Sequence, residues 1–288
     1  MRSYSELADP GRSDLAAQVA AHARRVRERL RSVRACVAVM SGKGGVGKSF
    51  VAAGTAAAAA GEGRRTGLLD ADLSSPCGAR MSGVSVADLT VVPGGVEPAR
   101  SPAGVAVMSM ELVLESGAPL RWKAPEGSYA WRSAQERSAL REMLGDVAWG
   151  ELDLLVVDLP PGSDRLSDLA DLVPTLEGVL AVTIPTVASE ASVRRSLELA
   201  RDRGLSILGV IENMAGYVCP DCGHAEALLP GSAGHELARA FDAPLLGRIP
   251  LDPAAGRLAE HGQMERLLAE TVAGERLASI AAFLSGRA

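Results

Sequence analysis

The run Ser41-Gly42-Lys43-Gly44-Gly45-Val46-Gly47-Lys48-Ser49 constrains this chain more than any other stretch. It fits the phosphate-loop spacing G-x-x-x-x-G-K-[ST]. Residues 35–40 before it read as a buried strand, and residues 50–60 after it read as a helix. A strand, a glycine turn and a helix start set several backbone N–H groups around an anion, and the helix dipole favours negative charge there. In that arrangement Lys48 reaches the β- and γ-phosphates, and the Ser49 hydroxyl sits on Mg²⁺. Gly42 to Phe50 then form the nucleotide-binding set. Lys43 is a second lysine one residue after the first glycine, and a solvated surface lysine is its plain alternative.

Downstream, apolar runs and amphipathic stretches alternate. Strands are expected at 66–70, 104–109, 152–158, 179–184, 205–211 and 245–249. The 152–158 run is nearly continuous apolar, as a strand buried on both faces should be. Val193, Leu197 and Ala200 recur at helical spacing. This alternation predicts an α/β fold, a doubly wound, mainly parallel sheet with helices on both faces. Ligands collect at the C-terminal strand ends of such sheets.

Composition agrees with that fold and excludes some roles. The 288 residues are 47% apolar but only 3% aromatic, which suits helices packed closely on a sheet. A net charge of −5 gives no general affinity for nucleic acid. The alanine run 56–60 is too short to span a bilayer, and Glu62, Arg64 and Arg65 follow it. With no apolar leader at the N-terminus, a cytoplasmic protein with no membrane partner is expected. Its four cysteines are then thiols or metal ligands rather than disulfides.

Residues 1–34 read as an N-terminal helical extension to a domain over 35–288. Residues 1–12 are polar. Ser13 or Asp14 caps a helix to about residue 33 that carries Arg24, Arg25, Arg27, Arg29, Arg31 and Arg34. A basic interaction arm is one reading. A solvated face with Leu15, Val19 and Val26 resting on the domain is the favoured one. A helix is also expected over 264–284, with mixed charge rather than the basic pattern of a membrane-surface helix.

Strand ends supply the remaining site residues. Asp158 precedes Leu159-Pro160-Pro161-Gly162 and is placed to hold Mg²⁺. Asp70 and Asp72 close the second strand. Asp72 is expected to orient or deprotonate the attacking water, and Asp70 to help hold the metal shell. Solvated loop carboxylates are the alternative for both. Asn213 follows the strand 205–211, and its amide matches the N6/N7 edge of adenine. Pro250, Leu251 and Asp252 form the other wall of that pocket. No Asn-Lys-x-Asp guanine-reading motif is present, so ATP is the expected nucleotide.

Cys219-Pro220-Asp221-Cys222-Gly223-His224 is the second strong signal. A C-x-x-C turn makes a knuckle that binds zinc or iron. One chain offers only two thiolates here, whereas tetrahedral zinc or a cubane cluster prefers four ligands. Two copies across a two-fold axis supply four. A redox dithiol and an idle knuckle are the alternatives. Cys36 reads as a buried small hydrophobe, Cys77 as a packing residue or a ligand, and His224 as a surface turn residue.

Taken together, the motifs resemble the Mrp/ApbC family of P-loop ATPases, which act as iron–sulfur cluster carriers. That family belongs to a larger group with ParA, MinD and the nitrogenase iron protein. The resemblance rests on residues 41–49, Leu-Asp-Ala-Asp-Leu at 69–73, Trp-Gly-Glu-Leu-Asp at 149–153 and Val-Asp-Leu-Pro-Pro-Gly at 157–162. Ile-Glu-Asn-Met at 211–214, the knuckle at 219–223 and Gly-Arg-Ile-Pro-Leu-Asp-Pro at 247–253 extend it. It implies a P-loop NTPase with a deviant Walker A loop, working as an ATP-hydrolysing homodimer. Lys43 matches the signature lysine that reaches the partner's nucleotide. Cys219 and Cys222 match the pair that bridges a [4Fe–4S] cluster for transfer to recipient apoproteins. Two segments depart from the family pattern. Leu73-Ser74-Ser75-Pro76-Cys77 stands where the family has Ile-Tyr-Gly-Pro-Ser, and Gly162-Ser163-Asp164 where it has Gly-Thr-Gly-Asp. Other readings are a ParA/MinD-like positioning ATPase and an ATPase with a structural zinc knuckle.

Overall fold

The computed structural model describes residues 15–85, 88–113, 129–162, 164–219 and 221–286. Residues 1–12, Ser13, Asp14, Ser163 and Pro220, and the side chains of Leu15 and Val19, lie outside that description. The strands are β1 (Cys36–Ser41), β2 (Thr66–Asp70), β3 (Thr90–Val92), β4 (Gly95–Glu97), β5 (Ala99–Arg100) and β6 (Ala106–Ser109). They continue as β7 (Leu154–Asp158), β8 (Leu176–Thr183), β9 (Ser206–Val218), β10 (Ala225–Glu226) and β11 (Leu245–Leu251). The helices are α1 (Leu15–Arg29), α2 (Lys48–Gly61), α3 (Gly78–Met81), α4 (Tyr129–Gly145) and α5 (Asp164–Leu172). They continue as α6 (Val187–Asp202), α7 (Ala233–Ala240), α8 (Pro253–Glu260), α9 (Met264–Glu270) and α10 (Val272–Ser285).

Nine strands form one sheet, with β1 at its centre between β7 and β8. β6, β2, β7, β1, β8, β9 and β11 run parallel, while β5 and β10 pair antiparallel at the margins. Because side chains alternate along a strand, β1 feeds two cores. Val37 and Val39 join α2 and α10 on one face, where Val51, Leu277 and Ile280 are fully buried. Cys36, Ala38 and Met40 join α1, α4, α5 and α6 on the other, with Val26, Leu144, Leu169 and Val193. Cys36 is therefore a core residue, as its strand position suggests, and burial pushes its thiol well above the usual range.

Four expectations are corrected here. The helix over 264–284 is broken. Thr271 adopts an extended conformation, and its hydroxyl accepts the Gly274 N–H at 3.0 Å, so it caps α10 and ends α9. The strand expected to stop at residue 211 continues through Glu212 and Asn213 to Val218. The first helix stops at Arg29 and passes into a 3₁₀ turn over Leu30–Ser32. Nor is the basic face of α1 wholly solvated. Arg25 pairs with Asp146 at 2.5 Å, and Arg29 donates to the carbonyls of Gly145 (3.2 Å) and Gly94. With Val26, Leu30 and Val33 buried beside them, these bonds pin α1 to the end of α4.

Candidate functional site

The phosphate loop leaves β1 and re-enters regular structure at α2, where Gly47 (φ +81°) precedes Lys48. A cavity of about 320 Å³ opens over it. Residues Ser41, 43–50, Asp72, Ser75, Cys77, Met81 and Pro161 line it. The loop is held from both sides. The Ser41 hydroxyl donates to the Lys43 carbonyl at 3.0 Å, and the Asn213 amide donates to the Val46 carbonyl at 2.8 Å. Gly42 lies so close to α6 that a Cβ there would stand 2.3 Å from the Ser192 carbonyl carbon.

Three strand ends converge beneath the loop. Lys48 is 6% exposed and pairs with Asp158 Oδ1 at 2.5 Å; Asp158 is 1% exposed. Asp158 Oδ2 is buried with no hydrogen-bond partner. Asp70 is equally buried, and its carboxylate is fully engaged. It accepts the N–H of Asp72 (3.1 Å), Cys77 (2.9 Å) and Gly78 (2.8 Å), and the Ser109 hydroxyl (3.0 Å). Its bonds thus clamp the segment after β2, with Cys77 preceding α3. Asp72 projects into the cavity, where its Oδ1 accepts the Ser75 N–H at 3.2 Å. The Cys77 thiol reaches the Ser49 hydroxyl, and burial, the leading cause, pushes its pKa up to about 11.

Burial and the Asp158 charge raise Asp70 to about 7, against the pull of Gly78, Ser109 and Lys48. Asp158 is raised too, by burial first, with Lys48 and Ser49 opposing. A carboxyl raised in the folded state adds stability that is full below its unfolded pKa and is lost as pH rises through the folded one. The Asp70 window therefore runs from about pH 4 to about pH 7. The nucleotide-free protein should lose about 2 kcal/mol of unfolding free energy between about pH 5.5 and about pH 8. Urea titrations across that range check it, and a flat profile would mean that Asp70 stays ionised throughout.

The residues expected to form an adenine pocket are otherwise engaged in the structure. Asn213 lies within β9, and its N–H donor is committed to the phosphate loop. Asp252 caps α8 by accepting the N–H of Ala254 at 2.8 Å and of Ala255 at 3.3 Å. Pro250 and Leu251 end β11, where Leu251 faces Tyr217 across the sheet. None of these residues lines the cavity over the phosphate loop. Sequence reasoning missed Ser109 and Glu212. Ser109 ends β6, one more strand end beside Asp70, and that position was its available signal.

The knuckle closes on itself. The Cys219 N–H donates to the His224 carbonyl, and the Gly223 N–H to the Cys219 carbonyl, both at 2.9 Å. Backbone N–H groups of Cys222 and Asp221, with the Cys222 side chain, hold the Cys219 thiol below its usual pKa. Donors converging on sulfur favour a thiolate, the form that binds metal. Among the described residues, no three His, Cys, Asp or Glu gather around a common metal position.

A parallel sheet that presents a glycine loop, a buried lysine and acidic strand ends to one cavity defines a nucleotide-binding P-loop protein. The chain belongs to the ParA-type family described as NUBPL iron-transfer P-loop NTPase, whose model matches residues 32–284. It is 37% identical over 247 residues to the iron–sulfur cluster carrier protein of Saccharolobus solfataricus, covering 85% of this chain and 81% of that one. To the human cytosolic Fe–S cluster assembly factor NUBP2 it is 37% identical over 238 residues, covering 81% and 85%. Among solved structures, a nucleotide-binding protein from Archaeoglobus fulgidus in complex with ADP superimposes with a TM-score of 0.70 at 33% identity, covering 84% and 92%. The cell division ATPase MinD of Pyrococcus furiosus shares the fold, with a TM-score of 0.59 at 19% identity and coverage of 89% and 100%.

Proposed function

We propose that this chain is an ATP-hydrolysing carrier that holds a [4Fe–4S] cluster between two copies of itself and passes it to apoproteins. The observation that carries this reading is the knuckle. One chain offers two thiols, Cys219 is biased towards thiolate, and the knuckle continues the strand that braces the phosphate loop. An isologous dimer completes a four-thiolate site. The family match and the names of its relatives favour iron–sulfur cargo over zinc. Likeness to MinD reaches only the fold, so a positioning ATPase has no observation of its own. No helix among the described residues is long and apolar enough to cross a membrane, and a cytoplasmic setting suits a carrier of this kind.

At the nucleotide, Ser49 and Asp158 are the residues that would hold Mg²⁺. The unpartnered Asp158 Oδ2 is the fit, because a buried carboxylate oxygen without a donor suits a cation or its water. Bound there, Mg²⁺ would neutralise charge on the phosphates. Lys48 would exchange Asp158 for phosphate oxygens. Asp72, already in the cavity, would orient the attacking water. Lys43, partly exposed and lining the same cavity, would reach the partner's nucleotide in a dimer.

Anaerobic reconstitution with iron and sulfide tests the reading. The wild type should show a broad sulfur-to-iron absorption band, with iron and sulfide bound per dimer. Cys219→Ala should fall to background iron while its ATP affinity stays within about twofold, since its nearest link to the loop is backbone. Zinc bound in place of a cluster would overturn the proposal in favour of a dimer staple.

A further inference from the structure

We infer that the Asn213–Met214 joint is a positioning element that conveys the state of the phosphate loop to the cysteine knuckle. This rests on the carrier reading only for its purpose, because the joint itself is built from β9.

Three features make β9 a lever with a fixed end, a pivot and a load. Its fixed end is Glu212, fully buried, which accepts the Gly234 N–H at 2.9 Å and Arg248 Nε at 2.8 Å. Those bonds tie β9 to α7 and β11 immediately before the joint. Asn213 comes next, and its Nδ2 lies against the loop. Besides bonding the Val46 carbonyl, it sits 2.1 Å from where a Cβ on Gly47 would stand. Residues 46 and 47 therefore cannot shift without moving or releasing Asn213.

Met214 is the pivot. Its φ is +54°, a left-handed conformation that side-chain-bearing residues rarely adopt. It sits inside a strand, where such a residue marks a bulge that re-aims the chain. The pairing agrees. Ile249 faces Asn213, yet the next pair is Leu251 with Tyr217, so β9 spends more chain than β11 over the same interval. Beyond the bulge, Tyr217 and Val218 pair with Glu226 and Ala225, and Cys219 opens the knuckle. Strain held between two anchored segments can be released when one anchor changes. Phosphate binding at the loop N–H groups alters the loop that Asn213 touches, and the bulge turns that change into a new aim for Cys219.

The test reads thiol accessibility and so needs no cluster. The alkylation rates of Cys219 and Cys222 by a maleimide are followed by peptide mass, without nucleotide and with ADP or a non-hydrolysable ATP analogue. Wild type should show a several-fold nucleotide-dependent change. Met214→Gly relieves the left-handed strain; it should keep nucleotide affinity but lose most of that response. Met214→Asn, which also eases the left-handed conformation, should lose part of it. Asn213→Asp replaces the donor with an acceptor. It should lose the response and bind nucleotide about tenfold more weakly, the worth of one buried hydrogen bond. An unchanged response in Met214→Gly, or none in wild type, overturns the inference. Failure to assemble a cluster in the reconstitution above would instead overturn the carrier reading and leave this result standing.

Discussion

Lys48→Ala is expected to lower the stability of the nucleotide-free protein by about 3–5 kcal/mol at neutral pH, as removing one partner of a buried ion pair does. The cause is local. Asp158 would be left at 1% exposure without its bonded cation, while burial and the Asp72 charge both raise its pKa. Lys48→Ala combined with Asp158→Asn should recover at least half of the loss, because a neutral amide is cheaper to bury. Falling pH should shrink the penalty as Asp158 takes up a proton. Nucleotide affinity should drop roughly 100-fold, reflecting about two charge-assisted hydrogen bonds. Urea midpoints and ATP titrations measure both effects. A single variant as stable as wild type would show that Asp158 is already protonated and that the pair contributes no charge.

Gly42→Ala should do comparable damage by a different route. Its Cβ would stand 2.3 Å from the Ser192 carbonyl carbon and 2.4 Å from the Val193 nitrogen, both backbone atoms. Neither can step aside as a side-chain tip would, so the loop and α6 must part. Overpacking of this kind costs about 1–3 kcal/mol. Parting also spoils the aim of the loop N–H groups, so ATP binding should weaken by at least about tenfold, one hydrogen bond's worth. Gly44→Ala is the control. Nothing lies within 4 Å of its Cβ, so its stability should stay within about 0.5 kcal/mol of wild type. Equal stabilities for the two variants would mean that α6 does not fix the loop.

The parallel sheet was legible because its strands are continuous apolar runs, and β7 shows why. A strand buried on both faces has no polar alternation to confuse it with a loop. β9 was cut short for the opposite reason. Glu212 and Asn213 are polar, and only the tertiary structure supplies Gly234, Arg248 and the Val46 carbonyl as their partners. The antiparallel pair β3–β4 was missed, its strands being only three residues each and largely exposed. At the site, the sequence marked Lys48 and Asp158 through their motifs. It did not show that they bond to each other, nor that Asp70 spends its carboxylate on Cys77, Gly78 and Ser109. Such contacts depend on which strands end side by side.

The placing of β1 also bears on how the chain matures on the ribosome. β1 pairs only with β7 and β8, so the first strand made waits for much of the sheet to be synthesised. Lys48 waits equally, because its partner Asp158 lies 110 residues further on. Until then the nascent chain carries an apolar strand without neighbours and a phosphate loop without its floor. Long-range parallel pairing of this kind is slow and exposes strand edges to aggregation. The loop's brace at Asn213 emerges later still. The ligand site is therefore complete only after Asp158 and Asn213 have both been synthesised.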